Sequence, residues 1–224
     1  MLIKLINHDN NVSYMNIFFI SIMPLFYWAV QNLFDNQDVG RRDIIIPFIL
    51  GFVIAVPIQL LYWAMDIYFA LTWKPIELFF YTFLNKEGFL YYPIILLILF
   101  LYRRKNDGSL YIREIAAIFC GYFFLLAVVD FLTTSTYSSY DLLMLPLLRI
   151  VTLLTASLLI NRFLSAFGKM RYFLLTGIAL LPLVLNIFPL LFLLNKLTIG
   201  IVLFIPVLLL SLLFSYSEIQ GAEF

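Results

Sequence analysis

Long runs of apolar residues recur along this chain, from near residue 13 to near residue 216. A run of about 20 apolar residues is long enough to cross the hydrocarbon core of a bilayer as a helix. In lipid the backbone must satisfy its own hydrogen bonds, which only helices and closed barrels achieve. Barrel strands alternate apolar and polar residues, whereas these runs are uniformly apolar. The pattern therefore predicts an all-α, polytopic integral membrane protein.

Charged residues make up only 12% of the 224 residues, and the mean hydropathy is +1.02. Soluble domains carry about 25% charged residues, so an ordinary soluble surface is excluded. We expect a single transmembrane helical domain over residues 1–224, with no soluble domain. The predicted spans, about seven, are 13–34, 44–67, 76–102, 114–133, 142–166, 172–194 and 197–215.

Local signals refine this prediction at three places. The sequence Asn-Lys-Glu-Gly at 85–88 interrupts the third span, and the apolar stretch before it is too short to cross a membrane alone. Only Asn195 and Lys196 separate the last two spans, which predicts a tight antiparallel hairpin. The first run follows a polar segment and lacks a small-residue cleavage site, so we do not expect a cleaved signal peptide.

Basic residues in short loops predict the orientation of the chain. The loops after spans one, three and five hold nine Lys and Arg residues, against four on the other side. We therefore expect an outside N-terminus and a cytoplasmic C-terminus, in a bacterial cytoplasmic membrane. The nine basic residues are Arg41, Arg42, Arg103, Arg104, Lys105, Arg113, Arg162, Lys169 and Arg171.

Metal-ligating residues are scarce. The one histidine, His8, lies in the polar N-terminal tail, and the one cysteine, Cys120, lies inside an apolar run. A histidine-ligated metal site within the membrane is therefore excluded by count, and we expect no cofactor. The net charge of +1 favours neither nucleic acid nor a polybasic lipid-binding tail. The partners we expect are the lipid bilayer and another membrane protein.

Ionisable residues inside the spans are candidates for function, because a charge at mid-bilayer costs from about 3 to more than about 10 kcal/mol. Arg149 lies about two turns inside the fifth span, roughly 12 Å along the helix from Asp141. Asp130 and Asp66 lie at a similar expected depth in spans four and two. We expect Arg149 to pair with one of them. Such a pair would fix helix packing, or Arg149 would bind an anion or serve catalysis.

Several segments share spacing and scattered identities with one known family. These are residues 21–38, 48–66, 88–90 and 107–111, together with Arg149. In the second span, Gly51 and Pro57 stand where that family has them. Over residues 15–190 the chain resembles the PrsW-type intramembrane proteases, which are related to the CAAX-processing membrane proteases.

The resemblance also implies that the catalytic residues are absent. The family's two adjacent glutamates and its lysine correspond to Tyr91, Tyr92 and Ile95. Its Glu-Asn pair corresponds to Leu126 and Ala127, and its histidines correspond to Ser157 and Asn186. Tyrosine has an ordinary pKa of about 10, so it is a poor general base near neutrality. What is left would be a vestigial groove lined by Tyr91, Tyr92, Leu126, Ser157 and Asn186.

Three functions stay open. The first is a catalytically inactive relative that binds a membrane partner or a transmembrane segment through the groove. The second is a small-molecule or lipid binding or transport protein, with Arg149 as an anion anchor. The third is an atypical active protease that uses Glu87 and Asp130, each one helical turn from a lost catalytic position. Ser157 and Asn186 also have a simpler interpretation as interhelical hydrogen bonds, worth about 0.6 kcal/mol on average.

Overall fold

The computed structural model describes residues 41–66, 75–85, 88, 91–104, 112–133 and 144–219. Within these ranges the predicted all-α class is confirmed, since every regular element is helical. The helices are α1 Arg41–Asp66, α2 Pro75–Asn85, α3 Tyr91–Arg104, α4 Ile112–Thr133, α5 Leu145–Ser165, α6 Lys169–Leu185, α7 Ile187–Leu193 and α8 Leu197–Ile219.

Five helical stretches in the described residues are long and apolar enough to cross a membrane. They are Ile44–Leu61, Ile112–Asp130, Leu145–Ser165, Lys169–Leu193 and Thr198–Ser215. These stretches match predicted spans two, four, five, six and seven, with ends displaced by a few residues. The first predicted span, 13–34, lies outside the described residues.

The third predicted span, 76–102, is not one helix. Helix α2 ends at Asn85, Gly88 lies in a turn, and α3 begins at Tyr91. A Cβ on Gly88 would lie 2.7 Å from the ring of Phe83 and 2.9 Å from its carbonyl oxygen, so only glycine fits here. Helix α3 has 14 residues. At 1.5 Å per residue it is about 21 Å long, short of the roughly 30 Å hydrocarbon core of a bilayer.

Helix α4 lies at the centre of the packing, where it contacts α1, α3 and α5. Every residue from Ile112 to Phe123 is buried, as expected for a helix that is apolar on all sides. Two hydrophobic cores meet on α4. The larger core joins it to α1, α3, α5 and α6, and the smaller core joins it to the helices from α5 to α8.

Helices α1 and α4 approach each other at two glycines. A Cβ on Gly51 would clash with the carbonyl oxygen of Ile118, and one on Gly121 would clash with that of Phe48. Each glycine has a fully buried alanine four residues away on the same helix face. Small residues with this spacing let two helix backbones pack closely. The two alanines are Ala55 and Ala117.

The sixth predicted span is interrupted at Asn186, between α6 and α7. Pro182 and Pro189 lie on either side, and neither can donate a backbone hydrogen bond to the helical ladder. The ladder nevertheless continues through Asn186, whose N–H donates to the Pro182 carbonyl at 3.0 Å. Its own carbonyl accepts from the N–H of Leu190 at 3.3 Å. The interruption therefore leaves one long apolar stretch, Lys169–Leu193, with a defect nearer its C-terminal end.

The predicted two-residue turn between the last two spans is present. Asn195 has a φ of 56°, in the left-handed region. Its N–H donates to the Phe192 carbonyl at 3.0 Å, and the N–H of Lys196 donates to the Leu191 carbonyl at 2.8 Å. This pair of bonds is the Schellman motif, which satisfies the last carbonyls of a helix. Helix α8 can therefore begin at once, at Leu197.

Candidate functional site

Arg149 and Asp130 form an ion pair between α5 and α4. The Nη2 atom of Arg149 lies 2.5 Å from Oδ2 of Asp130. Arg149 is only 2% exposed, whereas the Asp130 side chain is 35% exposed. Of the two acids expected as partners, Asp130 is therefore in contact with Arg149, and the side chain of Asp66 lies outside the described residues.

The environment of this pair determines what Arg149 can do. Charges attract each other more strongly in a protein interior than in water, but burying them costs several kcal/mol per ion. A buried guanidinium is therefore retained only with close partners, and both members of the pair make further contacts. An anion that approached Arg149 would have to compete with the Asp130 carboxylate. This arrangement favours a packing role over an anion anchor.

The two adjacent tyrosines at the start of α3 have different surroundings. Tyr91 is buried, and its ring stacks on Phe119 with centroids 5.7 Å apart. Its hydroxyl has no hydrogen-bond partner within the described ranges. The hydroxyl of Tyr92 instead donates to the carbonyl of Ala179 in α6, at 2.8 Å. One tyrosine therefore packs into the core, and the other ties α3 to α6.

Leu126 and Ala127 of α4 are the two residues that the sequence resemblance pairs with the Glu-Asn pair of PrsW-type proteases. Leu126 belongs to the larger core, together with Tyr91. Ala127 belongs to the smaller core, together with Leu185 and Phe188. Both positions are therefore occupied by buried hydrocarbon, which offers no group for acid–base chemistry.

Ser157 and Asn186 are both buried, and their side chains have different polar surroundings. In the part of the chain that the structure describes, the Ser157 hydroxyl has no hydrogen-bond partner. The Nδ2 atom of Asn186 donates to the carbonyl of Phe79 in α2, at 3.1 Å. Asn186 lies where the sixth predicted span is interrupted. Its hydrogen bond therefore connects the α6–α7 junction to helix α2.

The structure brings some of the five groove residues together. Tyr91 and Leu126 belong to the larger core, Tyr92 packs against it, and the neighbours of Ser157 in α5 are part of it. Asn186 lies beside the smaller core and reaches α2. The clearest polar feature is a pair of bonds between the α2–α3 segment and α6–α7. In both bonds a side chain donates to a backbone carbonyl, from Tyr92 and from Asn186.

Two charged residues at the start of α4 are buried, which the sequence does not predict. The sequence predicts Arg113 in a loop, but the structure places it in the first turn of α4, where Arg113 and Glu114 are both buried. Both make contacts with other groups. An acid in the first turn interacts favourably with the helix dipole. The sequence feature that could have indicated this is the pair Arg113-Glu114 directly before an apolar run. Such a pair is found in the first turn of a helix as well as at the end of a loop.

The residues of the atypical protease hypothesis are only partly visible. Glu87 lies outside the described residues, and the carboxylate of Asp130 is bound to Arg149. Within the described ranges, no three His, Cys, Asp or Glu side chains group together as metal ligands. The acid that this hypothesis needs in α4 therefore has a structural partner already.

Comparisons with protein-family models, with curated proteins and with solved structures found no match to this chain. The likeness to PrsW-type proteases therefore stays a prediction from the sequence. What bears on function is the set of contacts around α3, α4 and the interrupted α6–α7 stretch.

Proposed function

We propose that this chain is a catalytically inactive, PrsW-like integral membrane protein that binds a transmembrane segment of a partner protein. One observation carries the proposal. The sequence resemblance assigns the family's acids, amide and histidines to positions that hold neutral residues here, and in the structure these residues are packed against neighbouring helices or donate to backbone carbonyls. Tyr91 lies in the core, and Tyr92 binds the backbone of α6. Such groups can hold a framework together but cannot activate water.

The proposal places the chain in a bacterial cytoplasmic membrane, with an outside N-terminus and a cytoplasmic C-terminus. Five stretches of sufficient length and apolarity support insertion into a membrane. The segment 13–34 and the interrupted α2–α3 segment would bring the number of spans to about seven. The basic loops after spans one, three and five would then face the cytoplasm.

The partner segment would pack against α3. Three residues on one face of this helix are at least partly exposed, and they follow the i, i+4, i+8 spacing: Tyr92, Leu96 and Phe100. We call them the α3 stripe. Helix α3 is shorter than the hydrocarbon core of a bilayer. A longer partner helix beside it would extend across the part of the core that α3 does not reach. Helix association in lipid depends on such close side-chain packing.

Site-specific photocrosslinking tests this proposal. A photoreactive residue replaces Leu96 in the α3 stripe, and a matched control replaces the exposed Leu210 of α8. In native membranes we expect a discrete protein adduct from position 96 that position 210 does not give. Adducts of the same size and yield from both positions would contradict partner binding at α3.

A cleavage assay separates this proposal from the atypical protease. Purified protein in liposomes is incubated with membrane-spanning reporter substrates, and new N-termini are searched for by mass spectrometry. We expect none. Cleavage that is lost in an Asp130→Asn variant would overturn the proposal in favour of a protease. Binding of anions by Arg149 is less well supported, because its guanidinium is buried and bound by Asp130.

A further inference from the structure

The turn between α5 and α6 exposes aromatic rings to an unusual degree. Phe167 is 90% exposed. Gly168, with a φ of 61°, directly precedes helix α6. Tyr172 and Phe173, in the first turns of α6, are also largely exposed. Several large apolar side chains exposed together are typical of a surface that contacts a membrane or a partner.

Cations accompany these rings. Lys169 and Arg171 are exposed in the first turn of α6, and Arg162 is exposed in the last turn of α5. The Cζ atom of Arg171 lies 4.9 Å from the ring centroid of Phe163, which holds this guanidinium against the end of α5. We call residues 162–173 the basic-aromatic turn.

The basic-aromatic turn has no acidic residue near it in the sequence. The sequence contains no Asp or Glu between Asp141 and Glu218, a stretch that covers α5, α6, α7 and most of α8. The other turn in this region is a useful contrast. Between α7 and α8 there is a single exposed cation, Lys196, and no aromatic residue.

The position of the basic-aromatic turn follows from the helices that it connects. Leu145–Ser165 and Lys169–Leu193 are each long and apolar enough to cross a membrane. With both helices in a bilayer, as the proposed function requires, their junction lies at the level of the lipid headgroups. Aromatic rings are enriched at that level. Lys and Arg near an anionic surface each contribute about 1 kcal/mol of attraction.

We infer that the basic-aromatic turn binds the headgroups of anionic phospholipids in the leaflet that it faces. Lys169 and Arg171 bind the phosphate and its negative charge, with Arg162 close to the same end of the bundle. The exposed rings of Phe167, Tyr172 and Phe173 lie among the glycerol groups and the first methylenes of the acyl chains. This combination selects a lipid over a soluble phosphate, which would gain nothing from the rings.

Native mass spectrometry of the full-length protein tests the inference. The protein is released from nanodiscs that hold phosphatidylglycerol and phosphatidylcholine in equal amounts, and the bound lipids are counted. The test variant is Lys169→Gln/Arg171→Gln, and the matched control is Lys196→Gln. We expect the preference for phosphatidylglycerol to fall roughly fivefold for each cation removed from the turn. The control should keep the preference of the wild type.

A second variant guards against an effect of misfolding. Lys169→Arg/Arg171→Lys changes both side chains but keeps both charges, so it should retain the preference for phosphatidylglycerol. An unchanged preference in the Gln double variant, or an equal loss in the Lys196→Gln control, would overturn the inference. Crosslinking at Leu96 does not depend on these residues. A positive crosslink with no lipid preference would therefore refute lipid binding alone and leave the proposed function standing.

Discussion

Gly51 of α1 and Gly121 of α4 face each other across a backbone contact, and each lies against a carbonyl oxygen of the other helix. The relation is reciprocal. The carbonyl against Gly121 belongs to Phe48, three residues before Gly51, and the carbonyl against Gly51 belongs to Ile118, three residues before Gly121. Close approach of this kind brings α1 against the buried helix α4, on which both hydrophobic cores meet.

Replacement of Gly121 by alanine should destabilise the protein. The added methyl would overlap the Phe48 carbonyl, and a backbone atom cannot move aside as a side chain can. Overpacking of this kind costs on the order of 1–3 kcal/mol. Gly177→Ala in α6 is the matched control, because a Cβ there meets no atom within 4 Å. It should raise helix stability by up to about 1 kcal/mol. Thermal unfolding in detergent measures both variants, and a lower Tm for Gly177→Ala than for Gly121→Ala would contradict the account.

The ion pair between Arg149 and Asp130 should couple the stabilities of its two members. Asp130→Leu removes the carboxylate bound to a buried guanidinium and should cost on the order of 2 kcal/mol. Arg149→Met alone should also destabilise. The double variant should be more stable than the sum of the single effects predicts, because both charges are then removed. A double-mutant cycle of unfolding free energies gives the coupling, and a value near zero would show that the pair adds nothing to packing.

The two neighbouring tyrosines allow a comparison in which each variant is the control of the other. Tyr92→Phe removes the hydrogen bond to the Ala179 carbonyl and should cost about 0.6 kcal/mol. Tyr91→Phe removes a buried hydroxyl for which the described residues offer no acceptor, so it should be neutral or stabilising. The measured quantity is again the unfolding free energy in detergent. The opposite order of the two effects would mean that Tyr91, not Tyr92, makes the important polar contact.

The turn at Asn195 makes a prediction about backbone conformation. At a φ of 56°, glycine is unstrained, whereas a β-branched residue is strongly disfavoured. Asn195→Gly should be neutral or slightly stabilising, and Asn195→Val should cost about 1–2 kcal/mol. Both substitutions remove the same side-chain amide, so the difference between their unfolding free energies reports the cost of the left-handed backbone conformation at this position. Equal stabilities would argue against the left-handed conformation.

The apolar runs predicted the helical class because a run of that length has few other stable forms in lipid. The two-residue turn was predictable for a similar reason, since Asn195 and Lys196 are the only polar residues between two runs. The division of 76–102 was harder to predict. It depends on the contact between Gly88 and Phe83, which no local pattern reveals. The same is true of the α1–α4 contact, to which each helix contributes one glycine and one alanine four residues apart, without a Gly-x-x-x-Gly motif.

Among the candidate site residues, Arg149 was found from the sequence because a charge inside an apolar run must have a partner. Helical depth reduced the possible partners to Asp130 and Asp66, and the choice between them depends on packing. The acceptors of Tyr92 and Asn186 could not be predicted, because both are backbone carbonyls, which every residue has. Residue chemistry identifies a donor in an apolar run, but only the tertiary structure identifies its acceptor.

The turn at Asn195 and Lys196 also affects how the chain is made. A ribosome releases residues one at a time, and α8 begins at Leu197, immediately after the turn. A connection this short cannot span a bilayer, so the stretch before the turn and α8 would have to leave the translocation channel together, as one unit. The only charge near the leading tip of that unit is Lys196. With the proposed orientation, in which this turn lies outside, the late stage of membrane entry would carry one ammonium group across and complete two crossings in a single step.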